Sequence, residues 1–423
     1  MIPRSLQPYR RHLGSVSSLY GLQIATLVLP LVLLPFLTRR LGPDVWGILA
    51  IQTSLSTLMI VVLEFGFGFG ATREAAAKRD DRSGLGRIVV DLLGARALLA
   101  VLVTAIWVAV WFLVPAVRGL PEAYWWTLGL TIAQGWSPAW FYQAIARLPF
   151  VMMRELAARV VSTVAIVLLV HDAGDAWLVP ALQGLALALM LIVTTSSMLK
   201  RVDAPGFKLR SSWSLLARNA HLCFTRLVQM SAPTGNTFLL GVISPIGAPV
   251  YGAAERTSNA VRGLLSPISQ VAFPEIVVLY AESPERARAA VKKILLWLVA
   301  GALVMAAIIW LLADLIVLIL FGEQFASTVP VFRVLLCSVP LFAIIQVIGL
   351  QWLIPLKHDR AFLVSAIAGV ALNLGFALLL VPQFGALGMA WSLVLSEATT
   401  CIGLFLYTER LGPEGLRILG TAK

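Results

Sequence analysis

One apolar stretch of the chain, VYGAAERTSNAVRGLLSPISQVAFPE (250–275), carries polar residues at the spacing of a helical face. Residues three and four apart lie on the same side of an α-helix. A charge inside a membrane-spanning helix costs about 2.5–3.5 kcal/mol, so it usually faces a protein interior or a watery cavity. The spacing therefore predicts one wall of a polar cavity, formed by Glu255, Asn259, Arg262, Ser266 and Ser269.

A structural alternative stays open for the same stretch, in which Glu255 and Arg262 pair with each other or with a neighbouring helix. Arg256 directly follows Glu255 and points about 100° away from it, so it is expected to serve a neighbouring helix. Pro267 lacks a backbone N–H and predicts a kink.

Arginines recur inside other apolar segments. Arg226 and Asn236 lie in one of them, Arg96 follows Asp91 by five residues, and Arg159 follows Glu155 by four. The last spacing is also that of an ordinary helix ion pair, and for Arg159 this alternative has equal weight. The candidate substrate ligands are Arg226, Arg262, Arg256, Arg96, Arg159, Asn259 and Asn236.

Arginine stays charged and holds phosphate oxygens with a planar, bidentate fork. A cavity lined in this way suits a phosphate or pyrophosphate group, whereas a site for organic cations favours carboxylates and aromatic faces. Acidic side chains within the apolar segments are candidates for ion coupling, namely Glu255, Glu64 and Asp91.

The composition requires a membrane. Of the 423 residues 59% are hydrophobic and only 13% are charged, against about 45–50% and 25% in soluble domains. The three cysteines and four histidines show neither CxxC nor HExxH spacing. We therefore expect no disulfide framework, no metal site and no cofactor.

A membrane span needs about 20 apolar residues, and this length predicts an all-α protein with twelve spans. Their predicted positions are 15–38, 46–70, 89–114, 124–146, 150–170, 176–199, 214–241, 249–280, 291–320, 329–355, 360–382 and 386–408.

The basic residues predict the orientation. With a cytoplasmic N-terminus, 24 lysines and arginines fall on the cytoplasmic side and three on the other side, as the positive-inside rule requires. Both termini are then cytoplasmic. Most of the net charge of +12 is accounted for by orientation, which argues against nucleic-acid binding.

The connection KRVDAPGFKLRSSW divides the spans six and six. We predict a first bundle over 1–199, a cytoplasmic linker over 200–213 and a second bundle over 214–423. A faint repeat, PDVWG at 43–47 and APVYG at 248–252, supports two related halves in parallel orientation, as in transporters built from parallel repeats. Because the match is short, a chance similarity stays the alternative.

Enzyme motifs are absent from the sequence. It has no GxxxxGK[ST] loop and no GxGxxG in a strand–turn–helix setting, and its longest outward connection, over 115–123, is short for a polymerase or ligase. We therefore predict a transporter and no enzyme. An ion-coupled exporter of small cationic drugs is the first alternative, and a membrane polymerase or ligase is the second.

Five motifs, in order, resemble the bacterial Wzx-type polysaccharide flippases. They are PFLTRRLGPDVWGILA (35–50), LEFGFGFGATREAAAKRD (63–80), SPAWFYQAIARLPFV (137–151), APTGNTFLLGVIS (232–244) and VYGAAERTSNAVRGLLSPISQVAFPEI (250–276).

This resemblance implies the multidrug/oligosaccharidyl-lipid/polysaccharide exporter fold, with two six-helix bundles around a central cavity and alternating access. It implies that the protein lies in the bacterial inner membrane and moves undecaprenyl-pyrophosphate-linked oligosaccharide repeat units for O-antigen or exopolysaccharide. We expect a monomer. A polymerase and a chain-length regulator are candidate partners. By position, Arg226, Arg256 and Arg262 would hold the pyrophosphate and sugars, with Arg96 and Arg159 opposite.

Overall fold

The computed structural model describes residues 7–79, 81–145, 147–203, 206–411 and 415–416, and this part of the chain contains helices and no β-strand. The helices are α1 (Gln7–Glu64), α2 (Phe67–Ala77), α3 (Arg82–Leu113), α4 (Pro121–Gly135), α5 (Ala139–Ala144), α6 (Leu148–Leu169), α7 (Leu178–Leu199), α8 (Leu209–Ile243), α9 (Ala248–Gly263), α10 (Ser266–Glu282), α11 (Pro284–Leu311), α12 (Ala313–Phe321), α13 (Thr328–Leu336), α14 (Ser338–Gln346) and α15 (Asp359–Arg410). A π-helix, Val347–Leu353, continues α14.

Two glycines interrupt the longest helices. Gly42 in α1 has φ 73° and ψ 170°, and Gly385 in α15 has φ 53° and ψ −126°. A positive φ is readily adopted by glycine because it has no Cβ. Each long helix therefore consists of two segments, and both breaks fall between spans that the sequence separates.

Within the described residues, six helical stretches are long and apolar enough to cross a membrane. They are Val32–Glu64, Arg82–Leu113, Ala173–Leu199, Pro284–Leu311, Thr328–Leu353 and Arg360–Arg410. Many large apolar side chains on these helices are exposed, as expected of a surface that faces lipid. The chain is a multi-pass membrane protein, and the count of twelve spans stays a prediction.

Five of the predicted spans are divided between two helices, namely 46–70, 124–146, 249–280, 291–320 and 329–355. The segment 124–146 is divided into α4 and α5, and 249–280 is divided into α9 and α10 at Leu264 and Leu265. Pro267 lies in the first turn of α10, where a missing N–H removes no helical hydrogen bond. The interruption that we predicted at Pro267 is therefore found just before it.

The chain forms two compact units, which meet in sequence at Leu227 and Val228, within α8. In the first unit, α2 and α5 pack together, and a buried core includes Leu63, Phe67 and the aromatic run 140–142. The sequence places the linker earlier, at 200–213, and its two-bundle division stays a prediction.

A buried ion pair joins three helices of the second unit. Arg262 of α9 donates from Nη1 to Glu397 Oε1 at 2.8 Å and from Nη2 to Glu397 Oε2 at 3.1 Å, and Nη2 also contacts Ser338 Oγ. The side chains of Arg262 and Glu397 are only 5% and 14% exposed. The guanidinium lies 5.5 Å from the Phe342 ring centroid. This pair fixes α9 against α14 and α15.

Removing one partner of the buried pair leaves the other charge unpaired, which costs about 3–5 kcal/mol. We therefore expect Arg262→Met and Glu397→Met each to lower the thermal midpoint of the purified protein sharply. The double variant R262M/E397M should regain most of the loss, because a well-packed apolar pair carries no desolvation penalty.

The exposed pair Arg333–Asp314 provides the control, since its side chains are 32% and 69% exposed and such pairs contribute about 0–1 kcal/mol. Arg333→Met should therefore change the midpoint little. A stable Arg262→Met protein that fails only in transport would show that Arg262 acts on the substrate instead.

Candidate functional site

A cavity of about 530 Å³ lies within the first unit. Its lining combines charged and amide side chains with a few apolar ones. The polar lining residues are Glu64, Arg96, Gln134, Ser137, Gln143, Glu155, Arg159 and Arg226, and the larger apolar ones are Ile60, Trp140, Leu187 and Met190. A volume of this size is typical of small-molecule sites.

Three of the arginines predicted from the sequence meet in this cavity, on three different helices. Arg96 belongs to α3, Arg159 to α6 and Arg226 to α8. Arg96 is only 4% exposed, whereas Arg159 and Arg226 are half-buried. Together with Glu64 and Glu155 they give the wall a formal excess of one positive charge.

Ser137 organises one side of the cavity from the break between α4 and α5. Its carbonyl accepts from Arg96 Nη1 at 2.9 Å, and its hydroxyl donates to Glu155 Oε1 at 2.5 Å. The hydroxyl also accepts from the Ala139 amide at 3.3 Å. The helix breaks here because Pro138 has no N–H to continue the α4 hydrogen bonds. Irregular backbone at membrane depth is tolerated where it lines such a cavity.

The predicted pair Glu155–Arg159 is not formed. Glu155 bonds to Ser137 instead, and within the described chain the Arg159 guanidinium has neither a hydrogen-bond partner nor an ion pair. Its Nε is buried and unpartnered there. Arg159 therefore presents an unused planar fork to the cavity.

Glu64 reaches the same cavity from the end of α1. The next two residues, Phe65 and Gly66, both have positive φ, of 46° and 73°. This left-handed turn ends α1 and leaves the Glu64 side chain exposed, with no hydrogen bond or ion pair to the described residues. Gln143, also exposed, adds an amide that can donate and accept.

Chemically, this wall can bind a polar anion that also carries hydroxyl groups. The Arg159 fork matches two oxygens of a phosphate. Glu64 and Gln143 offer hydrogen-bond acceptors to hydroxyl groups.

The sequence did not predict three of the lining residues, Ser137, Gln143 and Gln134. Only the Ser-Pro pair in SPAW indicates that Ser137 lies at a break between helices.

The second unit contains the other predicted residues in a buried polar network. Thr237 donates to Glu255 Oε2 at 2.6 Å, and Asn236 donates to the Tyr251 hydroxyl at 3.2 Å. Asn373 donates to Asn236 Oδ1 at 2.7 Å. Glu255 is 7% exposed, and its Oε1 has no partner among the described residues.

The helical face predicted on α9 is only partly open. Glu255 and Arg262 are buried, and Asn259 and Arg256 are half-buried. Arg262 is held by Glu397 from α15, as in the structural alternative left open by the sequence. Its assignment as a substrate ligand, like those of Arg256, Asn259 and Asn236, stays a prediction.

Asp91 lies outside the cavity lining, half-buried on α3 near the charges of Arg87, Arg218 and Lys208. Within the described residues, no three His, Cys, Asp or Glu side chains cluster closely enough to hold a metal ion.

Comparison with known proteins gives the family. The model of the family described as "Polysaccharide biosynthesis protein" matches residues 13–280. A protein of Escherichia coli (strain K12) named "Putative O-antigen transporter" is 24% identical over 394 residues, covering 91% of this chain and 94% of the relative. A Shigella dysenteriae protein of the same name is 21% identical, covering 88% and 94%.

Two solved structures have a fold similar to that of this chain. An inward-facing multidrug resistance MATE family transporter of the MOP superfamily superposes with a TM-score of 0.71 at 17% identity, covering 94% of this chain and 96% of that one. The lipid II flippase MurJ, in an inward closed conformation, gives 0.69 at 12% identity, covering 92% and 87%. The resemblance seen in the sequence is thus confirmed, and this bacterial membrane protein belongs to the polysaccharide biosynthesis protein family.

Proposed function

We propose that this protein is a flippase for an oligosaccharide repeat unit linked to undecaprenyl pyrophosphate. The unit would belong to O-antigen or exopolysaccharide and would pass from the inner to the outer leaflet of the bacterial inner membrane. The observation that carries the proposal is the cavity of the first unit, where Arg96, Arg159 and Arg226 converge. The names of the relatives support a transport role, and the family supports a saccharide substrate.

We assign a role to each side chain from its position in the cavity and its contacts. The Arg159 fork, unpaired within the described chain, takes the pyrophosphate together with Arg226. Arg96, held by the Ser137 carbonyl, keeps a fixed positive charge at the wall. Glu64 and Gln143 accept hydrogen bonds from sugar hydroxyls, and the lipid tail remains in the bilayer. No covalent step is needed.

The same proposal includes the number of membrane spans and the side of the membrane on which the termini lie. Twelve spans in two six-helix bundles, with both termini cytoplasmic, would expose the cavity alternately to each side of the membrane. The protein would act as a monomer, with a polymerase and a chain-length regulator downstream. The second bundle would contribute further substrate ligands in any state in which these side chains leave their present contacts. They are Arg262, Arg256, Asn259 and Asn236.

We expect Arg159→Gln to lower the rate of headgroup translocation about tenfold to a hundredfold. A hydrogen bond to a charged group contributes about 1.5–3 kcal/mol, and each 1.4 kcal/mol is a factor of ten. The measurement is flipping of a fluorescent pyrophosphate-linked oligosaccharide lipid in proteoliposomes, and Arg226→Gln should act in the same direction.

Arg154→Gln is the matched control, because Arg154 lies on the same helix outside the cavity lining and donates to the Phe150 carbonyl. It should transport normally. The alternative of a drug exporter would be favoured if the wild-type protein moved ethidium, with no movement of the pyrophosphate lipid.

Ser137→Ala should lower transport about tenfold, although residue 137 needs no direct contact with the substrate. Losing the hydroxyl releases Glu155, which can then pair with Arg159 one helical turn away and occupy its fork. The double variant S137A/E155Q should recover most of the wild-type rate in the same assay, because a neutral amide does not neutralise Arg159.

Ser137→Thr keeps a hydroxyl and serves as the control, with a near-normal rate expected. If S137A/E155Q were as slow as Ser137→Ala, the hydroxyl would act in some way other than by holding Glu155 away from Arg159.

Glu255 is our choice for the site that couples transport to a proton or sodium gradient. It is the acid among the three candidates that is buried and has an oxygen without a partner in the described chain. Glu255→Gln retains an acceptor for Thr237 but cannot release a proton or attract a cation. Its flipping rate should therefore be the same with and without an imposed gradient.

Glu64→Gln and Asp91→Asn are the comparison variants, and both should keep the wild-type response to the gradient. A full gradient response in Glu255→Gln would remove Glu255 from the coupling mechanism.

A further inference from the structure

The segment that follows α7 is fastened along α3 within the first unit. Arg82 Nε lies 3.6 Å from Asp203 Oδ1, and Arg82 Nη2 donates to the Lys200 carbonyl at 3.3 Å. The Asp203 amide donates to the Arg82 carbonyl at 3.1 Å. Further on, the Phe207 ring occupies the space where a side chain at Gly94 would lie. These contacts place residues 200–203 beside the start of α3 and Phe207 beside Gly94.

Aromatic residues near the other end of α3 indicate how deep this segment lies relative to the membrane. Trp111 is half-buried and Trp125 is 44% exposed, and their ring centroids lie 5.7 Å apart. Both rings pack on the buried Tyr124. Tryptophan and tyrosine are enriched at the membrane–water interface. Going back from Trp111 along α3, about 20 residues at 1.5 Å each cover the roughly 30 Å hydrocarbon core and end near Asp91.

We therefore expect the start of α8 to lie at the opposite membrane interface, and apolar side chains protrude from the stretch 207–213. Phe207, Leu209 and Trp213 are 59%, 57% and 66% exposed. Exposed aromatic and aliphatic groups at this depth are suited to contact the upper part of an acyl chain.

Basic residues flank these apolar groups along the chain, and we call them the rim cluster: Lys200, Arg201, Lys208, Arg210 and Arg218. All are exposed except Arg201, which is half-buried. The nearby carboxylates are Asp203, which is paired with Arg82, and Asp91, which lies within reach of the charges of Lys208 and Arg218. The rim cluster thus keeps an excess of positive charge.

We propose that the rim cluster is a binding site for an anionic phospholipid. Its phosphate and headgroup contact Lys208 and Arg210, while its acyl chain lies against Phe207, Leu209 and Trp213. The charge excess selects an anionic headgroup over a zwitterionic one, since each basic residue near the surface contributes to the attraction. This lipid is distinct from the transported substrate, and its binding does not depend on the proposed flippase activity.

The test is phospholipid binding to the purified full-length protein in neutral detergent, followed by native mass spectrometry. Phosphatidylglycerol should bind at least tenfold more tightly than phosphatidylcholine. The double variant K208Q/R210Q should bind phosphatidylglycerol about thirtyfold more weakly. Each removed cation contributes about 1 kcal/mol, and 1.4 kcal/mol is a factor of ten.

The matched control is R286Q/K293Q, which removes the same charge from exposed positions on α11 and should bind the lipid like wild type. Arg210→Gln alone should show about a fivefold loss, which keeps the test valid if the double variant folds poorly. Equal binding of the two lipids, or an equal loss in both double variants, would overturn the site, because it would indicate only diffuse attraction.

Discussion

The cost of a charge in an apolar medium constrains the whole structure. A helix that crosses lipid can carry an arginine only if a partner, a carbonyl or a polar cavity replaces the lost water. The two units meet this requirement differently. The second unit pairs Arg262 with Glu397 and encloses the pair, whereas the first unit collects three arginines around an open space.

Breaks in the helices follow from the same constraint. The break between α4 and α5 leaves the Ser137 carbonyl without a helical hydrogen bond. This carbonyl accepts from the buried Arg96 guanidinium, so each group supplies the hydrogen-bond partner that the other lacks. At the end of α1, the left-handed turn at Phe65 and Gly66 leaves Glu64 facing the cavity. In both places irregular backbone lies beside charge, as expected where water or a ligand replaces helical hydrogen bonding.

Much of this arrangement can be predicted from the sequence, because helical periodicity and hydropathy are local. The spacing of Glu255 and Arg262 identified a polar face on α9, and hydropathy separated the helical segments at Gly42 and Gly385. The tertiary partner of a buried side chain, in contrast, depends on residues that are distant in the sequence. Glu397 lies 135 residues from Arg262, and nothing in either segment indicates that they meet. Ser137 was missed for a similar reason, since its importance arises from its contacts with α3 and α6. The Glu155–Arg159 spacing was misleading because a tertiary hydrogen bond displaced the helical pair.

The unpaired fork of Arg159 has a thermodynamic consequence. The Nε of the half-buried Arg159 guanidinium is buried and has no hydrogen-bond partner in the described chain, and a buried polar group without a partner raises the free energy of the folded state. A ligand that bonds to this guanidinium binds the native chain and not the unfolded one, so it would shift the folding equilibrium towards the native state by mass action. A ligand bound in this cavity would therefore act as part of the hydrogen-bonded interior of the first unit.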